Sequence, residues 1–450
     1  MDFISHPALP KRPWLPEPAQ RFIAEQEARY AALSLPELEA ELLDLVNAQQ
    51  HHLDRDCIML YAGTNVPNPR AAALLASDIG NRPNLGYPGA KYNLGMRQAE
   101  QLEVMLGLLL RRLFRADFAE HRLASGSMAN LCAFMATAQP GEVAMVFDES
   151  AAGHATHQSY GAAGLYGLRV HPIPFDAERM DVDVPKLREQ AHHLRPRLIV
   201  LAGSMCLFPY SVADVRAIAD EVGAWVIYDA AHMSGLIAGG AFQQALHEGA
   251  HVMTSSTYKS FGGVPGGFVL TNEPALAQRI EAVAYPGLSA NFDLGRTAAL
   301  CLAALDLLAH GEEYAATVIA NAQALAEALA ERDVPVFRAA GRGHPFTQSQ
   351  HVAIRAAPFG GGNRASARLA EANVIASSVG LPEAPIPGDA NGIRLGTQEV
   401  TRWGMRPEHM PTIAEFIARV LMRGEPPARV RADVLDFRRK FTHLHFIREG

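Results

Sequence analysis

The 450-residue sequence has few cysteines, and none of them lie close together. Cys57, Cys132, Cys206 and Cys301 form no Cys-x-x-Cys motif. This spacing excludes a disulfide framework and favours buried thiols in a reduced, cytoplasmic protein. The N-terminus also lacks a basic region followed by an apolar one, so we expect no export signal.

The sequence also lacks an excess of positive charge. Forty Lys and Arg residues against 47 Asp and Glu residues give a formal net charge of −7. No basic block is present to neutralise phosphates, so we expect no nucleic-acid partner. No run reaches the roughly 18 apolar residues that cross a membrane, because even the run 102–110 contains Glu103. We therefore expect no membrane partner either.

What the sequence does contain is a large share of apolar residues. They make up 49% of the chain, against 19% charged residues, which is typical of a globular protein with a large core. At about 150 residues per domain, the length predicts two or three domains. Residues 6–20 are rich in proline and predict an extended arm, whereas residues 20–50 have mostly helical spacing.

From about residue 120, short apolar runs alternate with helical patterns such as Val212–Val222. Continuous apolarity predicts strands that are buried on both faces, and hence a mostly parallel sheet in an α/β architecture. A long Ala- and Leu-rich stretch, about 294–329, is predicted to be helical and to lead into a C-terminal α+β domain. The predicted strands are 142–147, 197–202, 224–228, 251–253 and 267–270.

Two residues at the ends of these strands carry possible chemistry. Lys259 follows a strand and a run of hydroxyl residues, and it precedes a glycine-rich turn. A lysine amine of lowered pKa is a nucleophile that forms Schiff bases. Asp229 ends another strand, where open α/β sheets bind ligands. Taken singly, Asp229 is also a good helix cap and Lys259 an ordinary surface residue, but together they are typical of pyridoxal-phosphate sites.

Two further motifs suit anions. Ser125, Gly126 and Ser127 open a predicted helix, whose free N–H groups form a site for a phosphate, although such residues also simply cap helices. Arg394 lies in an apolar, strand-like segment and needs a partner there. A substrate carboxylate and an internal salt bridge are both open as that partner.

The segment His247–His251 matches the His-Glu-x-x-His pattern of zinc hydrolases. That chemistry needs a continuous helix that places both histidines on one face. Gly249 favours a helix end, and His251 begins the strand that leads to Lys259. We therefore expect no metal at this motif.

The motifs together resemble the serine hydroxymethyltransferase family of pyridoxal-phosphate enzymes, which has the fold type I of aspartate aminotransferase. The resemblance extends from about residue 56 to residue 405. It is carried, in family order, by the segments Leu85–Tyr92, Ser125–Asn130, Gly153–His157, Asp229–Leu236, Thr257–Lys259 and Ile393–Thr397.

The resemblance implies a role for each matched residue. Lys259 would form the Schiff base with pyridoxal 5'-phosphate, Asp229 would bind the pyridine nitrogen, and His154 would stack on the ring. Arg394 and Tyr92 would bind the amino-acid substrate. The implied catalytic residues are Lys259, His154, Asp229 and His232. The implied cofactor-binding residues are Ser125, Gly126, Ser127, His154, Ser204, Asp229, His232, Thr257, Lys259, Gly262 and Gly263.

The resemblance also implies an assembly and a domain organisation. Family members are homodimers or dimers of dimers with shared active sites, so Tyr92, Gly262 and Gly263 are candidates to act in the neighbouring subunit's site. We expect an N-terminal arm and helices over residues 1–62, a large cofactor-binding domain over 63–305, and a small C-terminal domain over 306–450.

The sequence departs from the family where folate and the substrate hydroxyl bind. Leu85 replaces a carboxylate, and it cannot exchange a proton. Asn93 replaces the second of two paired tyrosines. Tyr258 replaces the histidine before the lysine. Pro265 replaces an arginine, and Gly63 replaces a serine near the substrate. Tetrahydrofolate is therefore doubtful as a cofactor.

These observations predict a folate-independent aldolase that acts on a β-hydroxy-α-amino acid of the α-methylserine, serine or threonine type, together with an aldehyde. The proton acceptor for the β-hydroxyl would be His154, His232 or a water. A tetrahydrofolate-dependent hydroxymethyltransferase and a threonine-type transaldolase remain open, as does diversion to transamination or decarboxylation. A zinc hydrolase and a non-catalytic binding protein are the alternatives from other classes.

Overall fold

The computed structural model describes residues 12–449, which form two compact units divided after Cys57. The first unit contains helices α1 (Glu17–Ala31) and α2 (Leu35–His51), and a π-helical turn at His52–Asp56. The Glu37 carboxylate accepts a hydrogen bond from the Ser34 N–H at 2.7 Å, which caps α2. The predicted arm is wrong from residue 17 onward, because α1 begins there, and residues 6–11 lie outside the described part.

The second unit contains all the strands and the remaining helices of residues 12–449. Its strands are β1 (Ile58–Met59), β2 (Gly86–Tyr87), β3 (Ala90–Lys91), β4 (Phe118–Leu123), β5 (Val143–Val146), β6 (Arg169–Pro172), β7 (Phe175–Asp176), β8 (Asp181–Val182), β9 (Leu198–Leu201), β10 (Trp225–Asp229), β11 (Val252–Ser256), β12 (Gly267–Thr271), β13 (His351–Arg355), β14 (Val374–Ile375), β15 (Ser377–Val379) and β16 (Gly392–Gly396).

The helices of this unit cover both faces of its main sheet and surround its smaller sheet. They are α3 (Pro69–Leu75), α4 (Arg97–Phe114), α5 (Gly126–Thr137), α6 (Ala162–Leu165), α7 (Val184–Leu194), α8 (Val212–Val222), α9 (Ser234–Ala238), α10 (Ala245–Glu248), α11 (Pro274–Ala282), α12 (Leu294–Ala330), α13 (Gly362–Glu371), α14 (Gln398–Arg402), α15 (Met410–Leu421) and α16 (Pro427–Arg438).

The main sheet has seven strands in the order β4-β12-β11-β10-β9-β5-β6. The pairs from β11 to β6 are parallel, whereas β12 runs antiparallel to both β11 and β4. Every residue of β5, β9 and β11 is buried, which is the physical reason for the unbroken apolar character of β5 and β9. The prediction of an α/β fold with a mostly parallel sheet is confirmed.

A smaller antiparallel sheet, β13-β16-β15, lies in the C-terminal part of the chain. The short strand β1 pairs in parallel with β14, so the start of this unit packs beside its C-terminal part. The long helix α12 supplies buried residues to the cores of both parts and passes through position 305 without interruption. The predicted domain boundaries therefore stay a prediction.

Helix α12 is the one candidate membrane span by length and composition among the described residues, but 72% of its apolar window is buried inside the protein. Its apolar surface is thus used in the core. All four cysteines are buried, as the spacing predicted.

Candidate active site

The candidate site lies where neighbouring strands of the main sheet end. Strands β10 and β11 are parallel, with Asp229 opposite Thr254, so Asp229 and the segment that follows Ser256 meet at the same edge. Helix α5 begins at this edge, since a Cβ on Gly126 would lie 3.0 Å from the Cβ of Ser256. The topology therefore brings together the lysine, the aspartate and the predicted anion-binding helix end.

Asp229 is a buried carboxylate with a full set of partners. Its Oδ2 accepts hydrogen bonds from Asn130 Nδ2 at 2.8 Å and from His157 Nε2 at 3.0 Å, and its Oδ1 accepts one from the N–H of Ala231 at 2.9 Å. Burial alone raises the pKa of Asp229, but its hydrogen bond with His157 and nearby positive charges hold it well below its usual range. The side chain is therefore an anion that persists at neutral pH.

Asn130 is itself oriented by a further contact. Its Oδ1 accepts a hydrogen bond from the Thr254 hydroxyl at 2.6 Å, which leaves its Nδ2 to donate to Asp229. The other ring nitrogen of His157, Nδ1, is buried and has no hydrogen-bond partner among residues 12–449.

Lys259 is 8% exposed and has an altered proton affinity. Burial and the charge of Arg394 together lower its pKa to about 8, against the opposing effect of Asp229. Its Nζ lies 5.8 Å from the ring centroid of Tyr258. A lysine with this pKa has a substantial neutral fraction near neutral pH, as a Schiff-base nucleophile requires.

His154 lies partly buried beside this pair. Its Nδ1 is 2.7 Å from the Thr156 hydroxyl, and its ring centroid is 6.0 Å from that of His157. Burial lowers the pKa of His154 to about 4, so its imidazole is neutral at pH 7.

His232 is buried and paired with a second histidine. Its Nδ1 lies 3.4 Å from Nε2 of His351, which is fully buried on β13. Its carbonyl accepts hydrogen bonds from the Gln350 side chain and, at 2.6 Å, from the Ser260 hydroxyl. Burial lowers the pKa of His232 well below its ordinary value, so this ring is also neutral.

Arg394 lies on β16 and is 6% exposed. Its Nε and Nη2 donate to Ser377 Oγ at 3.2 and 3.1 Å, and its Nη1 donates to the Ser204 carbonyl. Burial lowers the pKa of Arg394 to about 10. Within residues 12–449 these described partners are neutral oxygens rather than a carboxylate, which disfavours the internal salt bridge.

The first turn of α5 forms the predicted anion-binding end. Ser125 caps the helix, its Oγ accepting from the Met128 N–H at 3.1 Å, and Ser127 is exposed. A Cβ on Gly267 would lie 2.2 Å from the Ser125 carbonyl oxygen, so only glycine allows this close approach of β12 to the turn.

Thr257, Gly262 and Gly263 flank Lys259, and each has a different structural role. The Thr257 hydroxyl donates to the Val264 carbonyl at 2.6 Å and so closes the glycine-rich loop. Gly262 has φ +72°, and a Cβ there would lie 2.2 Å from an Arg402 nitrogen. A Cβ on Gly263 would lie 2.9 Å from Leu300. The cofactor-binding roles of Thr257, Gly262 and Gly263 stay predictions.

Leu85 and Tyr92 flank the hairpin β2–β3, where the resemblance implies that folate and substrate groups bind. Tyr92 follows it and is 82% exposed, and its N–H donates to the Leu85 carbonyl at 3.0 Å. The Leu85 N–H in turn donates to the Asn93 side chain at 2.9 Å. None of the described contacts within residues 12–449 joins Tyr92 to Lys259, Asp229 or Arg394.

The zinc-hydrolase motif is split by the fold. Helix α10 ends at Glu248, and Gly249 has φ +119°. Nδ1 of His251 accepts the Val226 N–H at 2.9 Å, and the ring packs edge-on against Trp225. The second histidine of the motif therefore packs against strand β10 of the main sheet.

Several residues around the site were not singled out by the sequence analysis. Asn130 and His157 lie inside quoted motifs, but nothing in their spacing indicates that they bind Asp229. His351 and Ser377 lie in other elements, and only the tertiary structure brings them to His232 and Arg394. Tyr61 was also missed, and only the tertiary structure brings it to Arg394.

Comparison with known proteins now adds to this geometry. The serine hydroxymethyltransferase family model matches residues 35–417. The chain belongs to this family. Alpha-methylserine aldolase from a Ralstonia species is 46% identical over 98% of this chain and 100% of the relative. The enzyme of that name from Variovorax paradoxus is 47% identical over 98% of this chain and 99% of its own.

Serine hydroxymethyltransferases are more distant relatives of this chain. Serine hydroxymethyltransferase from Thermococcus gammatolerans is 37% identical over 92% of this chain and 98% of its own. The solved structure of L-threonine transaldolase from Pseudomonas fluorescens is 23% identical, covers 95% of this chain and 96% of its own, and has a TM-score of 0.82. This similarity confirms the predicted fold type I. Enzymes of this family and fold use pyridoxal phosphate.

The residues of the site fit such a cofactor. An ionised, buried carboxylate suits a protonated ring nitrogen, a buried lysine of lowered pKa suits a Schiff base, and an exposed helix N-terminus suits a phosphate. The buried and unpartnered Nδ1 of His157 is a further sign that this region is built for polar chemistry rather than for packing alone.

Proposed function

We propose that this protein is a pyridoxal-phosphate-dependent aldolase that cleaves and forms the Cα–Cβ bond of β-hydroxy-α-amino acids, with α-methylserine as the leading substrate and without folate. The observation that carries the proposal is the buried pair of cations, Lys259 and Arg394, beside ionised Asp229. Two relatives named alpha-methylserine aldolase, each similar over nearly the whole chain, support the choice of substrate.

Some side chains of the site would bind the cofactor, and others would bind the substrate. Asp229 would hold the ring nitrogen protonated, Lys259 would bind the carbonyl carbon, and His154 would stack on the ring. Pyridoxal phosphate supplies an electron sink for the electron pair left when the bond to Cα breaks. The phosphate would lie at Ser125, Gly126, Ser127 and Thr257, and Gly262 and Gly263 of a neighbouring copy would contact it, while Ser204 and His232 would lie near the phenolic oxygen.

Arg394 would bind the substrate carboxylate. Its guanidinium offers a planar pair of donors that suits a carboxylate, and it is already desolvated. Fixing this group decides which bond at Cα is set for cleavage. Within residues 12–449 the described hydrogen-bond partners of Arg394 include no carboxylate, so this buried cation gains more from a substrate anion than an exposed one does.

His154 is our assignment for the acceptor of the β-hydroxyl proton. Nδ1 of His232 is held by His351, and that ring is fully enclosed, whereas His154 is partly exposed. With a pKa of about 4, protonating His154 at pH 7 costs about 4 kcal/mol, so this proton is best passed onward to water.

Leu85 is the reason to propose a reaction without folate. An aliphatic side chain cannot transfer a proton, and it adds apolar room that suits an α-methyl group. A Leu85→Glu variant would restore the carboxylate that the resemblance implies, and Leu85→Gln is its uncharged control.

We further propose a homodimer with shared active sites, or a dimer of dimers. Tyr92 and Leu94 are 82% and 93% exposed, and Val104 and Leu108 on α4 are more than half exposed. Such an apolar surface is typical of a subunit interface. A second copy would bring Tyr92 to a neighbouring site, where it would bind substrate.

The test incubates cofactor-loaded protein with α-methylserine or serine, with and without tetrahydrofolate, and measures alanine or glycine. We expect alanine from α-methylserine without folate, and none from a Lys259→Ala variant. Product that requires tetrahydrofolate would instead establish a hydroxymethyltransferase. Product formed from threonine only when a second aldehyde is added would establish a transaldolase, and a keto acid or carbon dioxide would show diversion.

A further inference from the structure

The guanidinium of Arg394 faces the phenol of Tyr61. Cζ of Arg394 lies 5.8 Å from the Tyr61 ring centroid. Burial lowers the pKa of Arg394 to about 10, and the charge and hydrogen bond of the Tyr61 oxygen act against that shift. Because the other described partners of Arg394 are Ser377 and the Ser204 carbonyl, Tyr61 is the partner that itself carries an acidic proton.

Gly63 makes room for this phenol. A Cβ at position 63 would lie 2.9 Å from Cε1, 3.0 Å from Cζ and 3.2 Å from the hydroxyl oxygen of Tyr61. The end of the ring therefore lies over the Gly63 backbone, in space that any other side chain at position 63 would occupy. Gly63, which the resemblance placed near the substrate, and Tyr61 form one unit.

The main chain of Tyr61 is held by a residue from the C-terminal part of the chain. Its carbonyl accepts a hydrogen bond from Gln398 Nε2 at 3.1 Å, and Gln398 lies shortly after Arg394 in the chain. The phenol is partly exposed, and its electrostatic influence reaches Tyr258, the residue before Lys259. Tyr61 thus lies beside the arginine that would bind the substrate carboxylate.

We propose that Tyr61 is a second binding group for the carboxylate of the amino-acid substrate, and that Gly63 is required because it leaves room for the ring. This inference rests on the proposed function. A phenol whose ring centroid lies 5.8 Å from the guanidinium carbon can reach the oxygens that the guanidinium binds. Its O–H can turn from Arg394 to donate to a carboxylate oxygen, and such charge-assisted bonds are strong.

The test measures amino-acid binding to the holoenzyme from the change in cofactor absorbance. The ligands are alanine, serine and 2-aminoethanol, which is serine without its carboxylate. For Tyr61→Phe we expect the Kd of alanine and of serine to rise by a similar factor of about 10, and the Kd of 2-aminoethanol to stay unchanged. Tyr166→Phe, which removes another partly buried phenol that donates to a main-chain carbonyl, is the matched control.

Three results would overturn the assignment. An unchanged Kd for alanine would remove the contact, a loss confined to serine would place Tyr61 at the β-hydroxyl, and an equal loss for 2-aminoethanol would indicate a general structural role. A wild-type enzyme that binds alanine yet cleaves no α-methylserine would refute the aldolase alone, because the binding comparison is independent of turnover.

A second set of variants tests the role of Gly63. Gly63→Ala and Gly63→Ser should displace the ring and raise the Kd of alanine about as much as Tyr61→Phe does. Combining Gly63→Ala with Tyr61→Phe should add little, because both changes remove the same contact. Additive losses in the double variant would show that Gly63 acts independently and would contradict the proposed unit.

Discussion

Nε2 of His351 lies 3.4 Å from Nδ1 of His232, and the far nitrogen of His351 contacts the main chain of Cys206. Both rings are buried and neutral, since burial lowers the pKa of each. Two neutral imidazoles in contact share one hydrogen, so the proton position on His351 determines which nitrogen of His232 carries its own. A residue of the smaller sheet thereby sets the hydrogen-bonding character of His232.

Replacing His351 should disturb His232 more than it disturbs the fold. For His351→Phe we expect kcat to fall about 10- to 100-fold, because the second-sphere contact that orients the imidazole is lost. His351→Gln, which offers a polar group in the same direction, should recover part of the loss. The measurements are kcat and the absorbance spectrum of the bound cofactor. Equal kcat values for the Phe and Gln variants would contradict this role.

The negative charge of Asp229 should be required for a high kcat. We expect Asp229→Asn to lower kcat by at least about 100-fold, because a neutral amide cannot stabilise a protonated ring nitrogen. His157→Gln should cost less, since the carboxylate would remain. Asp220→Asn, which breaks only the exposed ion pair with Arg216, is the control for removal of a carboxylate. Full activity in Asp229→Asn would refute the assigned contact.

The rate at which the apoenzyme binds the cofactor should vary with pH according to the pKa of Lys259. With a pKa of about 8, about 10% of the amine is neutral at pH 7 and about 90% at pH 9, so the uptake rate should rise about tenfold. The rate is followed by the absorbance of the bound cofactor. Arg394→Gln should move the midpoint to higher pH, because the charge of Arg394 lowers the pKa of Lys259. A midpoint near pH 10.5 would contradict the effect of burial.

His251 should make the fold sensitive to acid. Burial lowers its pKa to about 4, below an unfolded value of about 6.5, so the unfolded chain binds more protons between these values. Stability should therefore fall as the pH drops below about 6.5. In urea unfolding at pH 7 and pH 5, His251→Gln should lose about 2 kcal/mol less than the wild type over this interval. An identical loss in both proteins would show that His251 does not titrate.

Much of the fold was predictable because it depends on local patterns. Helix α8 has the predicted bounds Val212–Val222, and α12 differs by one residue at its end. Each predicted strand overlaps an observed one, since strands buried on both faces have unbroken apolar runs. The proline-rich start was wrong where α1 begins at Glu17, because Pro18 falls in the first turn, where proline is tolerated.

The sequence by itself determined that Asp229 and Lys259 meet, because both follow parallel strands and such strands end at one edge of a sheet. Only the tertiary structure decided what surrounds them. Tyr61, Ser377 and His351 lie on separate elements, and no local pattern links these residues to Arg394 or His232. The lowered pKa values of Lys259 and His154 likewise arise from burial and from charges distant in sequence, which exist only once the chain has folded.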